Sequence, residues 1–237
     1  MRKSFIRSSR EIEDIKKACR ISDLAFNFIL KKIKIGISEK ELAKILSKFL
    51  RKKSGGISFR TIVAFGKNSS EVHHKVTNQK LKLSDVIMLD FGAKVNGVCS
   101  DITRTVFFGK ATDEQKKVYQ TVLKAQEKAL KYLKSSIMNQ ELCRGFDVDK
   151  IARDYIQKQG FPNIPHGLGH AIGRSVHQGP RLSPKSKFFL KPGMVFTIEP
   201  AIYLRNFGVR IEDDILIAEK GIETLSKSPK KLLLIEN

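Results

Sequence analysis

Two stretches of this chain place carboxylates inside runs that otherwise read as buried β-strand: "DVIMLDFGAKVNGVCSDITRTVFF" (85–108) and "MVFTIEPAIYLRNFGVRIEDDILI" (194–217). An uncompensated carboxylate in such a strand costs on the order of several kcal/mol, so each needs a cation or hydrogen-bond donors. Asn96-Gly97 is a strong two-residue hairpin signal. With that dipeptide as the turn, Asp90 lies opposite Thr103 and Asp101 opposite Gly92. Asp90 and Asp101 then share a face on a diagonal, with Cβ atoms roughly 7–8 Å apart. In the second stretch, a turn at Arg205-Asn206 puts Glu199 directly opposite Glu212, and Arg210 and Tyr203 project from the same face by two-residue alternation. Pro200 removes a ladder donor beside Glu199 and predicts an edge or bulge there.

The remaining chain repeats a plan. Ser8 with Glu11, and Ser38 with Glu41, form capping boxes that open two helices, the second stopped by "SGG" at 54–56. A short strand "TIVAF" (61–65) precedes the first hairpin. Thr112 with Gln115 opens a helix to about Lys134, and another spans about 147–159, ended by Gly160. Each half is therefore helices followed by a carboxylate-bearing hairpin, with no Pro/Gly/Ser linker between them. The expectation is one α+β domain over 1–237 with pseudo-twofold halves.

Five histidines are present, and three fall in "HGLGHAIGRSVHQGP" (166–180), a segment too glycine-rich for an ordinary helix. The glycines let backbone pass close to a crowded cavity. Four carboxylates on two hairpins with a nearby histidine describe a dinuclear metal site. Its oxygen-rich donor set suits Mn²⁺ best, with Co²⁺, Fe²⁺ or Zn²⁺ as substitutes. Asp213 and Asp214 read as a solvated residue and a local hydrogen-bonder, His74 as an exposed neighbour of His73, and Cys99 as a small packed residue on the Asp101 face.

Composition narrows the class. The formal charge is +21, but the basic residues are dispersed, reach no long run and do not interleave with aromatics, which argues against nucleic acid as the partner. Three scattered cysteines fit a reducing compartment. Neither a signal-like apolar segment nor a run of ~20 apolar residues occurs, so the expected location is the cytoplasm, with no membrane partner.

The stretches "LDFGAKVNGVCSDITRT", "HGLGHAIGRSVHQGPRLSP", "PGMVFTIEPAIY" and "GVRIEDD" resemble the pita-bread metallopeptidases: methionine aminopeptidase, aminopeptidase P, prolidase and creatinase. The resemblance runs from about residue 9 to 235. It implies a pita-bread fold whose halves each pack helices on a curved antiparallel sheet. It also implies two divalent metal ions held by Asp90, Asp101, His170, Glu199 and Glu212. Glu199 takes the place of the proton-shuttling glutamate. His73 matches a histidine that contacts substrate near the scissile bond, His177 one that stabilises the carbonyl oxygen, and His166 one near the substrate pocket in the proline-directed branch. Arg210, Tyr203 and Thr103 take the places of residues that orient the carboxylates.

The first histidine of "HGLGH" and the context "VRIEDD" resemble aminopeptidase P and prolidase, which implies hydrolysis of the N-terminal Xaa-Pro bond of a peptide substrate. "IGR" after His170 is closer to methionine aminopeptidase, the alternative activity. A pita-bread module that binds nucleic acid or protein without catalysis is the alternative of another class; the full ligand set opposes it. Val72 stands where proline is common before His73, and Gln178 where an acidic residue is common after His177. Most proline-directed relatives carry an additional N-terminal domain that helps dimerise them. This chain begins only about ten residues before the catalytic domain, so a catalytic domain alone is expected, and a homodimer is compatible with it.

Overall fold

The computed structural model describes residues 5–236. Helix α1 (Ser9–Leu30) and helix α2 (Glu39–Ser54) start where expected, each on a complete capping box, and Gly55 closes α2 in the left-handed conformation at φ +80°. Both helices turn an apolar face toward a core built around Phe26, Leu42, Leu46 and Phe65. Strand β1 (Ile62–Phe65) leads through a 3₁₀ turn at Gly66–Ser70 and a long loop into β2 (Val86–Phe91).

The first hairpin keeps the expected register throughout. β3 (Lys94–Val95) and β4 (Val98–Cys99) flank Asn96 and Gly97, both at positive φ (+48° and +84°). β2 then pairs antiparallel with β5 (Ile102–Phe108), Asp90 facing Thr103. Between the two ladders the strands pinch together: a Cβ on Gly92 would lie 1.9 Å from the Ser100 carbonyl oxygen, so only glycine fits beside Asp101.

Helix α3 (Asp113–Met138) runs four residues past its expected end, and α4 (Gly145–Lys158) begins two residues early on Arg144, whose N-terminal box is completed by Asp147. The glycine-histidine segment contains β6 (Gly169–Ala171) and β7 (Gln178–Leu182), an antiparallel pair not anticipated in so glycine-rich a stretch. The second hairpin comprises β8 (Val195–Ile198), β9 (Ala201–Tyr203), β10 (Gly208–Arg210) and β11 (Asp213–Ala218). β9 pairs with β10 and β8 with β11, Asp213 facing Ile198 and Arg210 facing Ala201. Glu199 and Glu212 thus sit at the junction of the two ladders, where Pro200 interrupts pairing. β12 (Gly221–Thr224) follows on the outer edge of β11.

The strands assemble into a four-stranded sheet, β1-β2-β5-β13, and a five-stranded sheet, β12-β11-β8-β6-β7. One expectation needs correction. The first sheet is mixed rather than wholly antiparallel, because β13 (Leu234–Ile235), from the end of the second half, lies parallel to β5. The second half thereby ties its own terminus into the first sheet.

Candidate active site

The five expected ligand positions converge where the two hairpins meet. At the break beside Pro200, the glutamate backbones turn to other segments: Glu199 N–H donates to Leu168 O (2.8 Å), just before β6, and Glu212 N–H to Thr103 O (3.1 Å) in β5. α3 splints the same break. The buried Gln126 amide donates to Ile198 O (3.0 Å) and Ile211 O (3.3 Å), the carbonyls just before the two glutamates. The backbone of β6 passes so close to β8 that a Cβ on Gly169 would meet Thr197 O at 1.9 Å. This approach brings His170 into the cluster.

Ligand atoms of Asp101, His170 and Glu212 all lie within 4.8 Å of one another, and all three residues are buried. His170 Nε2 is 3.6 Å from Asp101 Oδ2 and 3.5 Å from Glu199 Oε1. Around them stand the orienting groups. Arg210 donates to Asp90 Oδ2 (2.6 Å), and Thr103 Oγ1 donates to Glu212 Oε2 (2.6 Å). Arg210 also donates to Tyr203 Oη (2.6 Å), which lies 3.1 Å from His166 Nε2. His166 Nδ1 is 2.8 Å from Gly167 O, so it carries the proton and Nε2 accepts from Tyr203.

Electrostatics mark the site as one built for cations. Burial, then repulsion from Glu212, Asp90 and their neighbours, drives the Asp101 carboxyl well above its ordinary range. Burial and then Glu199 do the same to Glu212. Burial also pushes Glu199 up to about 8, against the pull of Arg210. Asp90 is raised by burial as well, with Arg210 opposing it. Burial pushes His170 down to about 4, which favours the neutral imidazole that ligates metals. The fit to divalent cations has a direct mark: Asp101 Oδ1 is buried and makes no hydrogen bond. A hard-to-intermediate cation suits this set of carboxylate oxygens and one imidazole.

A cavity of about 310 Å³ opens over the cluster. His73, His166 and His177 line it, as do Asp90, Asp101, His170, Glu199 and Glu212. The His177 ring stands edge-on to His170 with centroids 4.7 Å apart. Arg181, Phe59 and Ile62 also line the cavity and were not anticipated. Arg181 arrives only because β7 folds back on β6, a pairing no local pattern announced. Thr197 was legible: two residues before Glu199 on the same face, it donates to Glu199 Oε1 (3.2 Å) and accepts from His170 N–H (3.0 Å).

Three secondary readings require correction or confirmation. Asp213 is not solvated, and the Asp214 side chain bonds to distant residues rather than local ones. Asp213 is fully buried between Arg104 (2.6 Å) and Lys230 (2.6 Å), and Asp214 Oδ2 accepts from the Asp101 backbone N–H (2.8 Å) and from Cys19 Sγ (3.3 Å). His74 is buried rather than exposed, because the buried Glu39 carboxylate draws it inward; the exposed Glu71 meets its other nitrogen from the surface. Cys99 is packed as expected and unpaired.

A match to metallopeptidase family M24 covers residues 13–219. The chain is 38% identical over 233 residues to a Xaa-Pro dipeptidase of Pyrococcus furiosus, covering 97% of this chain and 65% of the relative. It superposes with TM-score 0.92 on a Xaa-Pro dipeptidase of Bacillus anthracis at 39% identity, over 97% of this chain and 64% of that one. The same TM-score holds for an X-Pro aminopeptidase of Thermotoga maritima at 40% identity, over 98% and 65%. This chain therefore belongs to metallopeptidase family M24 and has its α+β pita-bread fold. It spans about 65% of the length of the curated relatives it matches.

Proposed function

We propose that this chain is a metal-dependent exopeptidase that hydrolyses the N-terminal Xaa-Pro bond of peptides. The observation that carries the reading is the buried, unpartnered Asp101 Oδ1 inside the Asp101–His170–Glu212 cluster. Relatives named Xaa-Pro dipeptidase and X-Pro aminopeptidase support the substrate class. Asp90, Asp101, His170, Glu199 and Glu212 would hold two divalent ions, Mn²⁺ by donor chemistry. Such ions supply Lewis-acid polarisation of the scissile carbonyl and ease deprotonation of the attacking water.

The protein groups divide the remaining work. Glu199 takes the proton of the water and passes it to the leaving proline nitrogen. His177 donates a hydrogen bond to the carbonyl oxygen as negative charge develops there. His73 contacts the substrate at the cavity mouth. His166, with both ring nitrogens committed, offers its ring as a pocket wall. Arg210, Tyr203 and Thr103 fix the carboxylates in place. Three buried, unpaired cysteines fit a cytoplasmic setting, and among the described residues no helix is long and apolar enough to cross a membrane.

The test is a steady-state assay of purified protein with Mn²⁺ on a Xaa-Pro dipeptide, a longer Xaa-Pro peptide and Met-Ala-Ser. Cleavage of a Xaa-Pro bond that chelator abolishes is expected. Preference for Met-Ala-Ser would instead assign methionine aminopeptidase activity, and salt-dependent nucleic-acid binding without metal uptake would overturn the enzyme reading.

A further inference from the structure

The loop that presents His73 is gathered around one buried side chain outside the cavity. Glu39, the first residue of α2, is fully buried. Its Oε1 accepts from the backbone N–H of Phe65 (2.8 Å) and from Asn68 Nδ2 (2.9 Å). Its Oε2 accepts from the backbone N–H of Thr77 (2.8 Å), from Thr77 Oγ1 (2.7 Å) and from His74 Nε2 (2.9 Å). These donors come from both sides of His73 in the chain, so one carboxylate draws the segment 65–77 into a closed loop. Backbone bonds from Glu39 N–H to Gln79 O (3.1 Å) and from Lys40 N–H to Thr77 O (3.1 Å) hold the far end of the connection, and the carboxylate adds the side-chain contacts that close it around His73.

His74 is the link nearest the site. Its other nitrogen, Nδ1, lies 2.7 Å from Glu71 Oε2. Ionised carboxylates only accept, so both ring nitrogens carry protons and the side chain is an imidazolium held between two anions. His74 points inward and is buried, while its neighbour His73 is exposed and lines the cavity. Fixing the inward ring at both nitrogens fixes the peptide that joins the two histidines, and with it the direction of His73. The opposite end of the turn is anchored too, Arg210 donating to Val72 O (3.4 Å) and Gly208 N–H to Ser69 Oγ (2.8 Å).

We propose that Glu39 and His74 are positioning residues for the exopeptidase reaction, holding the 65–77 loop so that His73 meets the substrate. The inference rests on the assignment of His73 to substrate made above. Neither Glu39 nor His74 lines the cavity or touches a candidate metal ligand. The pair therefore acts on turnover and leaves metal binding alone.

The experiment compares His74→Asn and His74→Gln, each alone and combined with His73→Ala, with Mn²⁺ and a Xaa-Pro dipeptide. Asparagine places its amide near the Nδ1 position and loses Glu39, whereas glutamine reaches the Nε2 position and keeps it. His74→Asn is expected to lower kcat/KM by about tenfold to a hundredfold, the cost of slightly misplacing a substrate-contacting group. His74→Gln should restore most of that loss. In the His73→Ala background, His74→Asn should change kcat/KM by less than about twofold, since nothing remains to be positioned. Calorimetric Mn²⁺ affinity and stoichiometry should match the parent in every variant. If His74→Asn fails to fold, Thr77→Val removes one donor to Glu39 and enters the same cycle with a smaller expected loss. Additive losses, or weakened Mn²⁺ binding, with an active parent overturn this proposal alone. A His73→Ala variant as fast as an active parent removes the substrate role of His73 and overturns this proposal while leaving the exopeptidase reading standing; a parent that leaves every Xaa-Pro substrate uncut overturns both.

Discussion

The two halves bring their histidines to the cavity on segments braced by different cations. In the first half, Glu39 at the start of α2 gathers the His73 loop, with the His74 imidazolium as its partner. In the second half, Asp149 and Arg153 of α4 do the corresponding work. Arg153 donates to both Asp149 oxygens (2.8 and 2.9 Å), to Asn163 Oδ1 (2.7 Å), and to the carbonyls of Ile164 (2.5 Å) and His166 (2.8 Å). Asp149 Oδ1 also accepts from Leu168 N–H (3.0 Å), which holds the approach to His170. Both braces put a buried carboxylate on a helix beneath a site loop. Only the first relies on a histidine for its cation; the second uses a guanidinium. The fold has thus solved one problem twice, with unequal sensitivity to protons.

That comparison matters only if the shared cavity is catalytic, so the test with the largest expected effect strikes there. Glu199→Gln should lower kcat by about 10²- to 10⁴-fold, the usual worth of a positioned proton carrier, with an unchanged fold by circular dichroism. Turnover at the parent rate would detach both braces from any chemistry. Next comes Arg153→Met, which strands Asp149 as a buried charge. A loss of about 3–5 kcal/mol in urea unfolding is expected, and a loss near zero would mean that the second brace is dispensable. Glu39→Gln should cost less, about 1–3 kcal/mol, because the amide keeps one acceptor but leaves donors of His74 or Thr77 unmatched. A larger loss here than for Arg153→Met would reverse the ranking of the two braces.

The smallest expected effect separates them by pH. Burial alone would depress His74, but its hydrogen bonds to Glu71 and Glu39 outweigh burial and raise it above the ordinary histidine value. A raised folded value means that its contribution is complete below about pH 6.5 and fades as pH rises through that folded value. For Glu39, burial pushes up, but the bonds from Thr77, His74, Phe65 and Asn68 hold it below the ordinary carboxylate range. Its contribution is therefore present above that range and lost only as pH falls through the lower folded value, well outside the histidine window. Hydrogen exchange between about pH 6 and 9, corrected for intrinsic rates, should show protection falling in residues 66–77 and holding in 163–168. Equal loss in both segments would remove the asymmetry.

Much of this was legible in the sequence, and for local reasons. Capping boxes at Ser8, Ser38 and Thr112 act over three residues, so they appear in any window that contains them. The registers placing Asp90 opposite Thr103 and Glu199 level with Glu212 follow from two turns and a period of two. Carboxylates inside apolar strands announced a cation site before any contact was known. The missed residues depend on partners far away in the chain. His74 is buried because Glu39 lies beneath it, 35 residues away. Asp213 needs Arg104, 109 residues distant, and Arg181 reaches the cavity through a pairing inside a glycine-rich segment.

The sequence by itself determined the helices, the two hairpins, their registers and which faces carry the carboxylates, since each depends on interactions within one turn or one strand pair. Only the tertiary structure decided how the hairpins meet. It set Thr103 of one against Glu212 of the other, turned Arg210 onto Asp90, and sank Asp213, Asp214 and His74 into the interior. The physical reason is that a buried polar group depends on its partner, and for these residues a partner comes from the opposite half or from a distant helix.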